Sequence, residues 1–426
     1  MRTLVFITSQ FPYSAGEAFI EAEFPFLSRE FDKIFIISQN ISGKQTRALP
    51  ENVTIYRYNT STSLSGFLLL PFLSLFNFGI ISKMVKDELI FRKSAGNPLT
   101  IKNRLILVKK IIKAIQLRDF IRGKLLDEKI NGNIVFYSYW FKTGAHAIAL
   151  LNYPDSIKVA RAHGSDIYEE KTSQGYLPLL KFTAKNLDAI FFISENGRQY
   201  FSSKTKTISP SFIISRLGIA KPYTGEVKIP KSDKYVIVSC SNMIPLKRID
   251  LIIASLELVV SDKKISWFHF GGGILSDDLE KLAAEKLGPL PKIEYSIMGQ
   301  IPNDELLKFY SSNKIDLFIN TSSTEGIPVS IMEAQSFGIP AIATDVGGVN
   351  EVVREGTGSL LQPDFKPSDL AKLIQHYAAL PEEEQKILRN NALNNWESNF
   401  KASDNYHDFI LKLNSIFASS KKEIHQ

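Results

Sequence analysis

STEGIPVSIMEAQSFGIP, residues 323–340, places two glutamates eight positions apart between glycine and proline. DLFINT (316–321) before it reads as the end of a strand, and SSTEG as a loop. Pro328 suits a first helical position, because its φ is already helical and the amide it lacks would be unpaired there. Gly338 suits the left-handed residue that ends a helix, so a helix is expected over about 328–337 before IPAIAT opens the next strand. The free amides of that helix point back at the loop beyond the strand's carboxyl end, where doubly wound sheets bind ligands. They attract an anion by roughly 0.3–1 kcal/mol per charge at exposed sites. Two carboxylates beside a phosphate repel it unless they accept hydrogen bonds from flanking hydroxyls. A nucleotide sugar has hydroxyls on both sides of its phosphates, so Glu325 is expected to hold the sugar and Glu333 the ribose. The plainer alternative is a capping loop followed by a solvent-exposed helix.

Outward from this stretch the same rhythm fills the chain. Strands are expected at 3–8, 33–38, 53–58, 133–140, 158–164, 189–194 and 212–218. After the polar stretch IAKPYTGEVKIPKSDK (219–234) they resume at 235–240, 266–271, 292–299, 316–321, 340–344 and 358–362. These runs are β-branched or aromatic and lack clean alternation, as strands buried on both faces of a parallel sheet do. Spacers such as RIDLIIASLELVVSD supply helical crossovers. The expectation is two successive α/β domains, residues 1–220 and 234–366, with helices over 367–426 packing on them.

Hydrophobic content of 44% and charged content of 22% are those of a soluble globular protein. The single Cys240 cannot form an internal disulfide and reads as a core residue, which fits a reducing compartment. The start runs straight into a strand without the features of a secretory signal, so a cytoplasmic location is expected. The net charge of +7 is uneven: residues 82–125 hold twelve Lys or Arg against three Asp or Glu, leaving the rest of the chain slightly acidic. That argues against nucleic acid as a partner. SLSGFLLLPFLSLFNFGIISK (63–83) is apolar for about 18 residues, near the lower limit of a membrane span. With the basic segment behind it, the 63–125 insert is expected to lie on an anionic membrane surface at the inner face. A buried helical hairpin and a true span are the alternatives.

Glu325-Gly326-Ile327-Pro328, Glu333-Ala334 and Gly338-Ile339-Pro340 together resemble the C-terminal signature of the family 4 retaining glycosyltransferases. Thr344-Asp345-Val346-Gly347-Gly348 with Glu351 continues the pattern, and Ser322 stands where the serine before the signature belongs. The resemblance is best over residues 155–365. It implies the GT-B fold, two Rossmann-like domains facing across a cleft, with the nucleotide on the C-terminal domain and the acceptor mainly on the N-terminal one. It further implies donor contacts at Ser322, at Gly326, Ile327, Pro328 and Val329 beside the helix amides, and at Glu333, with Glu325 at the sugar. Phe11-Pro12 with Gly16 resembles the first loop that approaches the donor phosphates, though many members have two glycines there. His163-Gly164-Ser165-Asp166 resembles the family's His-Gly-x-Asp, which implies that His163 lines the donor sugar and Asp166 orders the loop. His146 has no such support and reads as packing, and His269 beside Gly271-Gly272-Gly273 is a weak nucleotide contact. Ser241 to Arg248 departs from the pattern: Lys247 matches the family's lysine, but Asn242 replaces its arginine, leaving Arg248 as a possible substitute on the diphosphate.

The chain contains no Asp-x-Asp, so no metal clamp or other cofactor is expected. Charge on the departing diphosphate then falls to Lys247, Arg248 and the helix amides. The expected activity is retaining transfer of a sugar from a nucleotide-sugar donor to a glycan or lipid-linked acceptor, in surface polysaccharide assembly. Other GT-B chemistry (a phosphorylase or a nucleotide-sugar epimerase) and a non-catalytic partner subunit are the alternatives.

Overall fold

The computed structural model describes residues 1–13, 17, 19–39, 43–58, 64–130, 132–206, 211–221 and 234–424, with the backbone alone at 64–76 and 421–424. Most of the 219–234 linker therefore lies outside the described residues. Internal contacts divide the chain into two units, Met1–Leu217 with Tyr406–Gln426, and Gly218–Asn405.

The first unit holds a seven-stranded parallel sheet of β1 (Thr3–Thr8), β2 (Lys33–Ser38), β3 (Val53–Arg57), β4 (Ile134–Ser138), β5 (Ser156–Ala162), β6 (Ala189–Phe192) and β7 (Phe212–Ile214). Their order is β3-β2-β1-β4-β5-β6-β7. Its helices are α1 (Ile20–Glu30), α2 (Leu64–Ser94), α3 (Ile101–Asp127), α4 (Thr143–Ala149), α5 (Leu180–Lys185) and α6 (Glu195–Thr205). The second unit holds a six-stranded parallel sheet of β8 (Lys234–Cys240), β9 (Lys264–Phe270), β10 (Ile293–Ile297), β11 (Leu317–Asn320), β12 (Ala341–Thr344) and β13 (Gly358–Leu361). Their order is β10-β9-β8-β11-β12-β13. Its helices are α7 (Ile249–Glu257), α8 (Ser276–Leu287), α9 (Asn303–Ser312), α10 (Val329–Ser336), α11 (Pro367–Ala379) and α12 (Glu382–Asn399). The last helix, α13 (Ala402–Ile424), belongs to the first unit from Tyr406 onward.

All the expected strands form. The largest difference in length is at β7, which ends at Ile214 because its neighbour β6 ends at Phe192, whose carbonyl accepts from Ser215 N. Inner strands of the first sheet such as β1 and β2 feed two cores, which is why their runs are apolar without alternation. Val5 and Ile7 join Phe35, Ile37 and α3 residues Leu117 and Ile121 on one face. Leu4 and Phe6 join Ile34, Ile36, Phe24 of α1, and Phe409 and Leu413 of α13 on the other. Each such side chain contributes about 1.5–3 kcal/mol relative to exposure.

The apolar insert folds as one long helix, α2, followed by α3. Met84, Glu88 and Arg92, spaced four apart, are buried, whereas Phe78, Ile80 and Ile90 are exposed. Arg92 donates to Glu88 Oε1 at 3.0 Å, to Glu169 Oε1 at 2.7 Å and to the Leu177 carbonyl at 2.9 Å. The insert is thereby tied to the loop that follows the His163 motif. No helix among the described residues is long and apolar enough to cross a membrane.

Candidate functional site

In each sheet the strand order reverses at one point, between β1 and β4 in the first unit and between β8 and β11 in the second. Loops leaving the carboxyl ends of two such strands diverge and open a crevice, the usual ligand position of doubly wound folds. The residues singled out above cluster at both points.

In the second unit the loops after β8 and β11 are stitched together by Ser323 N donating to the Leu246 carbonyl at 2.8 Å and by Thr321 Oγ1 donating to Lys247 O at 2.9 Å. That brings Lys247 Nζ to 2.6 Å from Glu325 Oε1, half-buried. Asn320 completes the corner: its Nδ2 reaches Glu325 Oε1 at 3.4 Å, and its Oδ1 accepts from Ser322 N at 2.9 Å. Asn320 drew no attention in the sequence, since its role depends on a partner five residues on. Gly326, Ile327 and Pro328 carry the loop into α10, which starts at Val329, so Pro328 caps the helix instead of opening it. Gly338 adopts the expected left-handed conformation, with φ 68°.

Arg248 behaves differently from the expected donor contact. Its Nε donates to Thr321 O at 2.7 Å, Nη1 to Pro363 O at 2.7 Å and Nη2 to Thr344 Oγ1 at 3.1 Å. The guanidinium stacks 5.2 Å from the Phe365 ring, and the residue itself is left-handed, with φ 47°. It is committed to the loop carbonyls and holds the framework around Lys247. Asn242 is exposed at the mouth of the same loop.

Glycines let these loops approach closely. A Cβ on Gly271 would lie 1.9 Å from Ser241 O, and one on Gly347 2.0 Å from Glu325 O. The Gly347 contact, with Gly348 N donating to Gly326 O at 2.9 Å, clamps the backbone that carries Glu325. His269 is buried with Nδ1 2.8 Å from Ser239 Oγ and Nε2 3.2 Å from Ser241 O, and burial pushes its pKa down to about 4. Both ring nitrogens thus belong to the framework.

Glu333 lies in the second turn of α10, buried, with Oε1 accepting from Asn303 Nδ2 at 2.7 Å. Burial pushes its carboxyl pKa up to about 7. The adjacent Cys240 thiol is pushed up to about 12 by burial and then by the Glu333 charge, so it is a neutral lining group.

In the first unit Asp166 is fully buried. It accepts from His163 N at 2.9 Å and Phe141 N at 3.0 Å, with His163 Nδ1 at 3.4 Å. Burial works against its charge, but the His163 hydrogen bond, the charges of His163 and Lys142 and the Phe141 amide outweigh it and hold its pKa below the ordinary value. His163 Nδ1 faces the Asp166 carboxylate, which leaves Nε2 as the ring nitrogen turned away from it. Nε2 is buried and has no hydrogen-bond partner among the described residues. Trp140, Tyr139 and Phe19 surround the ring at 4.4, 4.9 and 6.1 Å. His146, by contrast, bonds Thr183 Oγ1 at 2.8 Å inside the core.

The loop after β1 is held by a residue that sequence reading passed over. Glu17 accepts from the backbone amides of Ser9, Gln10 and Phe11 at 3.1, 2.6 and 2.6 Å and from Trp140 Nε1. Gly16, expected at the donor phosphates, lies outside the described residues.

Residues 225–394 match the sequence model of the family described as glycosyl transferases group 1. An uncharacterized glycosyltransferase of Methanocaldococcus jannaschii is 25% identical over 252 residues, covering 59% of this chain and 67% of that protein. A poly(glycerol-phosphate) alpha-glucosyltransferase of Bacillus subtilis is 30% identical over 218 residues, covering 49% of this chain and 28% of that protein. The match therefore spans between about a quarter and two thirds of the length of these curated relatives. Among solved structures, a glycosyltransferase of Rickettsia africae superimposes with TM-score 0.66 at 14% identity, covering 97% of this chain and 98% of that one. That likeness, with the two parallel sheets, identifies the fold as GT-B.

Proposed function

We propose that the chain is a family 4 glycosyltransferase that moves a sugar from a nucleotide-sugar donor to a glycan or lipid-linked acceptor, with retention and without a metal, in surface polysaccharide assembly. The observation that carries this reading is the Lys247–Glu325 pair at the switch point of the second sheet, in the loop that leads into α10 and its buried Glu333. As the sugar–phosphate bond breaks, negative charge gathers on the leaving diphosphate and positive charge on the sugar. Lys247 Nζ and the first amides of α10 are suited to the diphosphate, and Ser322 lies beside them. The Glu325 carboxylate, already oriented by Lys247 and Asn320, accepts from a sugar hydroxyl, and Glu333 from the ribose. His163 Nε2 takes a further sugar hydroxyl. Attack on the face the leaving group vacates retains configuration, and the leaving phosphate takes the acceptor's proton.

Thermal-shift titration with UDP-, GDP-, ADP- and TDP-sugars tests the donor reading. One base should raise the melting temperature, since a ligand at a hundred times its dissociation constant stabilises by about 2.7 kcal/mol. No shift with any of them would overturn it.

The acceptor side of the proposal includes a cytoplasmic, peripheral position on an anionic membrane. Phe78 and Ile90 of α2 and Ile101 and Leu105 of α3 are exposed beside Lys102, Arg104 and Lys109. At about 1 kcal/mol per basic residue near such a surface, four engaged side chains give useful attraction. Vesicle co-sedimentation should show binding to anionic but not neutral vesicles, weakened by salt. Equal binding to both, or to neither, would remove the membrane from the reading.

A further inference from the structure

Glu333 is buried in α10, yet no cation among the described residues pairs with it. Among those residues its carboxylate has one hydrogen bond, in which Asn303 Nδ2 donates to Oε1 at 2.7 Å. Oε2 has no such partner and is not among the fully buried polar atoms. One oxygen is therefore held by the chain and the other is left for a ligand.

The fold sets Asn303 in place. It is the first residue of α9, directly after Pro302, whose ring fixes the approach of the backbone. α9 is seated from two sides. Phe309 lies 5.3 and 5.0 Å from the Phe268 and Phe270 rings of β9, and Tyr310 lies 5.9 Å from Phe337, the residue that closes α10. With its later turns fixed on β9 and on the end of α10, α9 presents Asn303 to the second turn of α10. Asn303 itself is exposed, so the hydrogen bond joins a surface residue to a buried carboxylate.

A long glutamate side chain loses rotamer freedom when it is fixed, and a buried carboxylate is costly without a donor. The Asn303 amide meets both needs before a ligand arrives. A group oriented in advance binds more tightly, because the ligand no longer has to order it.

We propose that Asn303 is a positioning residue for the donor: it holds the Glu333 carboxylate with one oxygen free for a ribose hydroxyl, and so sets the preference of the site for a ribonucleotide over its deoxy counterparts. This deepens the glycosyltransferase reading and rests on its assignment of Glu333 to the ribose.

Calorimetric titration of the full chain with UDP, GDP and ADP, each against its 2′-deoxy and 3′-deoxy counterparts, tests it without an acceptor. The titrations are run at pH 8, above the Glu333 pKa of about 7. For the base that binds, the wild type should favour the ribonucleotide over one or both deoxy counterparts by about tenfold or more, the usual weight of a hydrogen bond to a charged group. Asn303→Leu keeps the bulk of the side chain without the donor. Asn303→Asp keeps its shape and suits the first turn of a helix. Both variants should lose most of the preference through weaker ribonucleotide binding, with the deoxy affinities unchanged. A merely structural role at the start of α9 would be served by aspartate. Asn303→Leu added to Glu333→Gln should change the preference no further, because the amide acts through that carboxylate. A preference retained in both Asn303 variants overturns the inference. Tighter ribonucleotide binding by them also overturns it, since Asn303 would then compete with the ribose. A wild type that binds ribonucleotide and deoxy counterparts alike, or a Glu333→Gln variant that keeps the full preference, overturns the assignment of Glu333 to the ribose instead.

Discussion

Lys247→Ala should cut donor turnover roughly a hundred- to a thousandfold, the usual loss when one charge contact to a transition state is removed. The reason lies in what the neighbouring cations do. Arg248, one residue on, is held by Thr321 O, Pro363 O and Thr344 Oγ1, and swinging it toward a diphosphate would strand those acceptors. Asn242 brings a hydrogen bond but no charge. Removal of Lys247 also leaves the half-buried Glu325 carboxylate without its 2.6 Å partner. Asn242→Arg in the Lys247→Ala background should restore part of the rate. Arg248→Ala should act on stability instead, by about 1–3 kcal/mol, since hydrogen bonds from a charged donor to part-buried acceptors are lost. Initial rates and melting temperatures of the three variants separate these outcomes. Normal turnover in Lys247→Ala would remove the lysine from the chemistry. A rate loss in Arg248→Ala at unchanged melting temperature would show that the guanidinium does reach the donor.

Glu333→Gln should change how stability and nucleotide affinity depend on pH. Burial raises the carboxyl pKa to about 7, above its ordinary 4.5. Between those values the folded chain holds a proton that the unfolded chain has lost. The stabilisation is complete below the ordinary value and disappears as pH rises through the folded one, a loss of up to about 3 kcal/mol. Glutamine keeps an oxygen for Asn303 Nδ2 but never ionises. The variant and wild type should match near pH 4, and the variant should be the more stable by up to about 3 kcal/mol at pH 8. Nucleotide binding should move the opposite way. An ionised Glu333 is the better acceptor for a ribose hydroxyl, so wild-type affinity rises with pH through about 7, while the affinity of the variant stays low and flat. Urea titrations and nucleotide binding at the two pH values give both readings. Identical pH profiles for wild type and variant would show that Glu333 does not titrate in this range.

The strands, their parallel pairing class and the loop–helix passage at 323–340 were legible in the sequence because each depends on neighbours in the chain. β-branched runs stay apolar on both faces of a covered sheet, and Pro328 and Gly338 act on their own backbone. The motif residues Glu325, Glu333, Lys247 and His163 drew attention for the same reason, as local patterns at fitting spacings. The tertiary structure decided which of them meet and what their neighbours do. Lys247 and Glu325 are 78 positions apart and pair because β8 and β11 are adjacent in the sheet. Arg248 looked like a spare cation beside Lys247, yet the loops after β11, β12 and β13 supply its acceptors and fix it in place. Glu17 reaches Trp140 across 123 positions, and α13 returns from the second unit to cover the first sheet with Phe409 and Leu413. Charge in a one-dimensional chain can be counted, but whether a charge is paired, buried or crowded by its own kind depends on distances that the fold alone sets.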